Sequence, residues 1–569
     1  MLAALGVSLC GCKDGKIVWF TEPRREPDVV ISRTDQSPAV RDTVGINVQI
    51  EGMRRMRVRG YGLVVGLGEN GSSDCPRQVR EQLIQEILKR PEIALSPDGV
   101  RNIDPERLID DAATAVVVVQ GEIPAAAPSG TRFDVTVEAI AGSQTRSLEG
   151  GRLFTCDLRV FRDVSPGASL SGQVLATADG PVFLNPFGGE GEDVATTVSL
   201  RRGYILGGGK SSTDRRLALV LTSPSYQRAI AITERINARF PERDKIADAI
   251  SHSKISLRLP KAYEDDPRHF LALVEHLFIP TRTGFADERT VELIDELKKP
   301  DSLHTDIALA LEGIGKGVIP KLTPLYSDER SHVHFYAALA GLRLGDDAAL
   351  HVMQMHALDP KSKYRLEAIE ALGGAGKIGR AALPLRRCLS DDDPFVQVAA
   401  YEGLRKRYDP TLRSTVVGGD NFVLDDVEAD GEPLVYAKRA KDQRIALIGG
   451  PLRFTPPVFY RQADGLLTVT AGEGDQNITV LCKHPLSGTL LEPVQVGLGV
   501  DEVLRVLGSP RKRDAKKPGL GIEYSTIVQM LHTLCSSKSI NARFMLEQPD
   551  STSELFGPLS EPGRPESEL

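Results

Sequence analysis

A chain of 569 residues, 41% hydrophobic and 26% charged, has the make-up of a globular protein of roughly three or four domains. That excludes wholesale disorder and a polytopic membrane protein. Seventy Lys and Arg against 77 Asp and Glu leave a net charge of −7, so the chain is not built to wrap nucleic acid. Aromatics are only 5%, with a single Trp (Trp19), while Gly (53) and Pro (36) are plentiful. This favours aliphatic cores with many turns over aromatic-lined ligand pockets.

The first nine residues are almost wholly apolar and run into Leu9-Cys10-Gly11-Cys12. That order resembles a bacterial lipobox, which makes Cys12 the expected site of lipidation and residues 1–12 a signal segment. The positive n-region of a signal peptide is missing. Either the start lies upstream or this is a buried N-terminal strand. No other apolar run approaches the ~20 residues of a membrane span. The remaining cysteines (Cys75, Cys156, Cys388, Cys482 and Cys535) are far apart and form no C-x-x-C pair, which argues against a zinc ribbon or redox motif. One or two disulfides are allowed in an exported chain, with a connectivity that sequence does not give. Polar residues 13–43 read as a flexible tether.

From 44 the patterning predicts an α+β block ending near 284. Segment 44–68 reads as two strands, and residues 79–90 as a helix burying Val79, Leu83, Ile84, Ile87 and Leu88. Strands follow at 114–120, 131–140, 152–161 and 217–222. A helix at 225–240, a strand at 255–259 and a helix at 268–278 close the block. Composition then turns Ala/Leu-rich. An Ala-Leu-x-Gly element recurs as Ala310–Gly313, Ala338–Gly341 and Ala371–Gly374, with a degenerate copy at Ala400–Gly403. The glycine spacings of 28, 33 and 29 residues suit helical hairpins stacked in a HEAT-like array over 285–415. In that reading Gly313, Gly341, Gly374 and Gly403 cap the first helix of each hairpin. Asp359-Pro360 and Asp393-Pro394 open hairpins, and the array is expected to be removable by joining ~286 to ~440. A β-rich block spans 416–547, with strands at 444–454 and 466–471, a strand-to-helix run at 494–508, a helix at 525–535 and a strand at 540–547. The Ser/Pro/Glu-rich tail 548–569 is expected to be disordered.

Candidate chemistry is sparse. Gly207-Gly208-Gly209-Lys210-Ser211 ends like a phosphate-binding loop, but the opening Gly would fall at Tyr204 and a strand follows where a helix is needed. Glu149-Gly150-Gly151 reads as a hairpin turn. His332-Val333-His334 and His351…His356 have spacings poor for one metal and are expected to be solvated or satisfied. No nucleophile-elbow, zinc-protease or paired-carboxylate signature is present, so neither catalysis, nor a cofactor, nor a metal is expected. Arg511-Lys512-Arg513 with Lys516-Lys517 forms a basic loop, either solvated surface or a contact for an acidic partner, wall polymer or neighbouring subunit.

The run Gly60-Tyr61-Gly62-Leu63-Val64-Val65-Gly66-Leu67, with the turn to Asp74, resembles the signature of the bacterial flagellar P-ring protein family. A second block agrees: Ala115–Val118, Glu122-Ile123-Pro124, Gly130, Phe133–Val137 and Ser147–Leu153. A third covers 217–259. The C-terminal end is echoed at Pro456, at Gly465–Val469 and weakly at 525–547. The turn departs from the family's usual Gly-Thr-Gly-Asp, and so does the lipobox. The fold expected is therefore α+β and multidomain: P-ring-like blocks at 44–284 and 416–547 separated by an inserted all-α HEAT-like solenoid. The resemblance implies a structural, non-catalytic subunit of a homo-oligomeric periplasmic ring around the flagellar rod. Its partners would be the rod, other ring proteins and peptidoglycan, with a membrane anchor if Cys12 is acylated. The competing expectation is an envelope lipoprotein scaffold that keeps the fold and binds another protein through its helical repeats.

Overall fold

The computed structural model describes residues 37–52, 55–89, 104–124, 126–160, 172–184, 200–264, 266–376, 378–419, 421–439, 443–462, 465–483, 490–510 and 519–547. The lipobox with Cys12, most of the tether, the basic loop at 511–517 and the C-terminal tail lie outside them.

The N-terminal block is built from two sheets. The first strand, β1 (Val48–Glu51), joins a four-stranded sheet, and the second, β2 (Met56–Val65), joins a barrel. The other barrel strands are β3 (Ala115–Ile123), β4 (Arg132–Ala139), β5 (Arg152–Val160), β6 (Val174–Pro181) and β8 (Arg202–Ser211), with the short β7 (Phe183–Leu184) paired onto β8. All pairings are antiparallel in the order β4-β3-β2-β5-β6-β8, and β8 returns to β4, so six strands close on themselves. Closure gives each of these six strands a neighbour on both sides. Val58, Val64, Val117, Val119, Phe133, Val135, Leu153 and Leu158 fill the interior. Tyr61 and Leu63 point the other way, beneath Val79 and Leu83 of helix Arg77–Leu88 and Ile109 of helix Pro105–Asp110.

Beside the barrel, β1 pairs with β9 (Leu217–Leu221), which pairs with β11 (Lys254–Leu257), which pairs with β10 (Ala247–Ala249). Helices Tyr226–Arg239 and Pro267–Glu275 pack on this sheet through Ile232, Ile236, Phe270 and Val274. The last residues assigned to the tether are packed: Ala39 and Thr43 are buried, and Thr43 bridges to Phe278. Asp42 accepts from Arg289 at 2.8 Å, and that guanidinium lies 5.2 Å from the ring centres of Phe278 and Phe285. An apolar contact plus a buried cation fix a stretch whose composition alone reads as free.

Among the described residues, 285–406 hold helices and no strand; from His304 on, longer helices (His304–Ile314, Ser331–Leu344, Arg365–Gly374 and Pro394–Lys406) alternate with shorter ones, after the first helix Phe285–Leu297. Asp393 caps the last of these, accepting from the Phe395 amide at 2.9 Å with Pro394 at the first helical position. Asp359 instead caps a loop turn, accepting from Lys361 N, ahead of helix Arg365–Gly374. The glycines expected as caps are not caps. Gly313, Gly341 and Gly403 lie inside helices, and Gly374 is a last helical residue followed by Ala375. The left-handed positions are Gly315 (φ 107°) and Gly345 (φ 87°). Gly313, Gly341 and Gly403 serve close packing, and so does Gly373, whereas Gly374 has nothing within 4 Å. A Cβ on Gly373 would lie 2.7 Å from Gly403 Cα, and one on Gly341 would lie 2.0 Å from Tyr326 Oη.

The C-terminal region holds a five-stranded sheet in the order β12-β13-β15-β14-β20, formed by β12 (Leu412–Val417), β13 (Phe422–Val427), β14 (Leu434–Ala437), β15 (Arg444–Ile448) and β20 (Arg543–Leu546). A four-stranded antiparallel sheet follows, from β16 (Val458–Arg461) through β17 (Leu467–Ala471) and β18 (Asn477–Cys482) to β19 (Val494–Gly497). Helices Val500–Gly508 and Tyr524–Ser536 pack between them. The helical region does not stop at this boundary. Val427, Leu434, Tyr436, Ala446 and Ile448 share one apolar cluster with the helices from Phe285 to Leu404. Asp425, wholly buried, ties the two together by accepting from Tyr401 Oη (2.5 Å), Ser414 Oγ (2.5 Å) and Arg444 (2.8 Å). Among the described residues, no helix is long and apolar enough to cross a membrane.

Candidate functional site

The signature strand is the part of the chain whose residues the fold constrains most closely. In β2, side chains alternate across the barrel wall. Val58, Gly60, Gly62 and Val64 face inward, and Tyr61 and Leu63 face the covering helix. Strand β5 crosses β2 closely, with a register shift between Arg59 and Val64. A Cβ on Gly60 would stand 2.2 Å from Asp157 O, and one on Gly62 would stand 2.6 Å from Leu153 Cδ1. Both glycines are therefore fixed by approach of backbone and core, not by dihedral freedom. Gly66 (φ 82°) and Gly68 (φ 56°) are the reverse case: a Cβ on either would meet nothing within 4 Å, and the left-handed backbone sets the residue.

The second motif packs on the first. A Cβ on Gly151 would meet Val64 Cγ1 at 2.4 Å and Leu67 Cδ2 at 2.5 Å. Residues 147–151 make a turn, with Gly151 N donating to Leu148 O, but not a hairpin: β4 and β5, on either side, are not neighbours in the barrel. The Gly/Asn-rich turn is held equally firmly. Asp74 accepts from Ser72 Oγ at 2.6 Å and from Gln144 N at 2.8 Å, and these bonds, the hydroxyl's foremost, hold its carboxyl below the usual range. Arg201 clamps the facing loop by donating to Ile140 O, Ser143 O and Thr145 O at 2.7–3.1 Å.

Two residues of the second block, quoted in the sequence as part of its motif, take on structural roles that the motif does not specify. Phe133 plugs the barrel between Gly121 and Gly209; a Cβ on either glycine would come within 2.7 Å of its ring. Asp134 sits at the register shift in β4, accepts from Gly207 N at 2.8 Å and meets Arg439 Nε at 2.5 Å. Burial pushes its carboxyl up, against the pull of Arg439. With Arg152–Glu523 (2.5 Å) and Leu206, which joins the C-terminal apolar cluster, this pair fixes the barrel to the C-terminal region. The signal in sequence was an acidic residue in mid-strand. The cleft left at this joint, about 310 Å³, is lined by Arg132, Asp179, Asn421 and Tyr524.

The remaining candidates fall elsewhere. Gly207–Ser211 is barrel strand, with its ladder partners in β4 and β6. His334 and His356 bond each other through Nε2 at 2.9 Å, with Asp328 O and Ser362 Oγ on their outer nitrogens. Among the described residues no group of three or more His, Cys, Asp or Glu is arranged to hold a metal. Among the described residues, Cys75, Cys156, Cys388, Cys482 and Cys535 form no disulfide. Strand β2 lies between β3, paired along Met56–Val64, and β5, paired at Val58–Arg59 and Val64–Val65.

Residues 45–288 match the model of the flagellar P-ring protein family. Over this region the chain is similar to flagellar P-ring proteins. It is 31% identical over 239 residues to the flagellar P-ring protein of Thermotoga maritima, covering 40% of this chain and 63% of that protein. It is 31% identical over 240 residues to that of Aquifex aeolicus (41% and 60%) and 28% identical over 279 residues to that of Rhodopseudomonas palustris strain BisB5 (47% and 67%). The match thus spans just under two thirds of the Thermotoga and Aquifex proteins. It coincides with the barrel and the sheet beside it, and the helical region begins where the family match ends.

Proposed function

We propose that this chain is a structural subunit of a flagellar basal-body P-ring, a periplasmic ring around the rod that supports motility, and that it carries out no catalysis. The observation that carries this reading is the family match over 45–288, with both signature blocks locked together inside one barrel. A subunit of a closed ring repeats one heterologous contact around an axis and needs a stiff body. The closed barrel, the Arg201 clamp and the Asp134–Arg439 tie supply that stiffness. In this reading Gly60–Leu67 shape the barrel and do not themselves touch a neighbour.

The helical region is read here as an inserted HEAT-like array, supported by its alternating helices and close glycine crossings. The block at 416–547 is read as the family's C-terminal part, and Cys12 as a lipid anchor, on sequence alone. Rod proteins, other ring proteins and peptidoglycan are the proposed partners. Deletion of the coding gene in the source bacterium tests the proposal. Swimming should stop, extracted basal bodies should lack a periplasmic ring, and an intact copy should restore both. A deletion strain that swims with a complete ring overturns it.

A further inference from the structure

The junction between the family-matched block and the helical region is made by helix Pro267–Glu275 against helix His304–Ile314. His276, buried at the end of the first, stands against two acceptors. Its Nδ1 is 2.6 Å from Ala272 O, and its Nε2 is 2.8 Å from Asp306 Oδ1. A carbonyl and a carboxylate both accept only, so both ring nitrogens must carry protons. The geometry therefore assigns His276 as an imidazolium, and we propose that its proton is a latch: protonated, it holds the helical region against the N-terminal block, and its loss at rising pH loosens that joint.

The surroundings fit a latch. Gly313, on the same partner helix, brings the two segments close enough that a Cβ there would lie 3.2 Å from His276 O. Arg235, from helix Tyr226–Arg239, donates to Phe278 O at 3.0 Å and reaches Gly313 O at 3.5 Å. From the N-terminal segment, Val44 N donates to Leu277 O. The charged groups facing His276 are Asp306 across the joint and Glu275 beside it. A second pair, His269 Nε2 with Glu312 Oε1 at 3.0 Å, lies further along the same two helices, with Arg343 3.7 Å from Glu312 Oε2. Burial alone would lower the His276 pKa, but the Asp306 bond and charge, the Ala272 carbonyl and Glu275 raise it above the ordinary 6.5. A raised folded-state pKa gives stability that is full below about 6.5 and is lost as pH rises through the folded value.

The test uses the full chain with selectively labelled histidines. Nuclear magnetic resonance should find His276 doubly protonated at pH 7, and amide exchange, corrected for its intrinsic pH dependence, should show protection of residues 304–314 dropping from about pH 6.5 up to the His276 midpoint. Protection should fall by up to about tenfold per pH unit between about pH 6.5 and the His276 midpoint, and level off above it. Asp306→Asn should move both transitions to lower pH together, and His276→Gln should leave exchange at the joint independent of pH over that interval. A singly protonated His276 at pH 7, or protection at 304–314 that stays constant from about pH 6.5 up to the His276 midpoint, overturns the proposal.

Discussion

Replacing Gly209 by Ala puts one methyl group where the Phe133 ring already stands. The new Cβ would lie 2.5 Å from Phe133 Cε2 and 2.6 Å from Cζ, about 1 Å inside ordinary contact. The ring cannot yield toward β3, because Gly121 leaves it no more room there, and Phe133 is only 3% exposed. Gly209 has no left-handed φ, so the backbone accepts Ala and the penalty is packing alone. Overfilling a tight core costs about 1–3 kcal/mol. Less chain entropy in the unfolded state returns roughly 0.4–1 kcal/mol. The net loss is about 1–2 kcal/mol, roughly a 5- to 30-fold fall in the folded-to-open ratio of the barrel. Native-state amide exchange read on β3, β4 and β8 measures it locally, which avoids treating a chain of this size as two-state. Phe133→Leu should cost about 1 kcal/mol alone as a core truncation. Combined with Gly209→Ala it should cost less than the two added together, with a coupling of at least about 0.5 kcal/mol. Unchanged protection in Gly209→Ala, or strictly additive losses in the double variant, refutes the account of Phe133 as the barrel plug.

Neighbouring glycines in the helical region should respond oppositely: Gly373→Ala, forced to 2.7 Å from Gly403 Cα, should lower the thermal midpoint, whereas Gly374→Ala, with nothing within 4 Å, should hold or raise it through a helix-propensity gain of up to about 1 kcal/mol. Asp425→Ala removes the acceptor of Tyr401, Ser414 and Arg444 and should cost about 3–5 kcal/mol in urea titrations followed by circular dichroism, more than the exposed Asp430→Ala. Burial pushes the thiols of Cys388 and Cys535 to about 11 and about 12, so iodoacetamide at pH 8 should modify them orders of magnitude more slowly in the native chain than in urea.

Much of the barrel was legible because its strands alternate and are rich in Val: β2, β3, β4 and β5 fall within a few residues of the expected runs. Strand β8 was not, since Gly207-Gly208-Gly209 reads as a loop until Phe133 is seen to need the space. The same blindness affected the helical repeat. Its period was visible, but a glycine that ends a helix and one that lets two helices cross have the same local sequence. Only the partner distinguishes them: Gly345 has a left-handed φ, and Gly403 has Gly373 against it. Of the barrel-to-C-terminus joint, Asp134 was visible but Arg439, 305 residues away, was not, because an ion pair leaves no periodicity in the chain.

The shared core changes what an inserted module means here. Joining 286 to 440 would delete β12, β13 and β14. That would strip β15 of both its neighbours and β20 of its one described partner. Cutting at 411 instead would keep the sheet but expose Val427, Leu434, Tyr436, Ala446 and Ile448, whose cover is the helices. An apolar face of that size left open to water is a site for association, not a stable surface. The helical region therefore serves as the floor on which the C-terminal sheet is laid, while Asp134–Arg439 and Arg152–Glu523 return that sheet to the barrel. With His276 joining the other end of the helices to the N-terminal block, the described chain closes a loop of contacts: block to helices, helices to sheet, sheet to barrel. A chain closed in this way transmits load along three joints and not through a single linker.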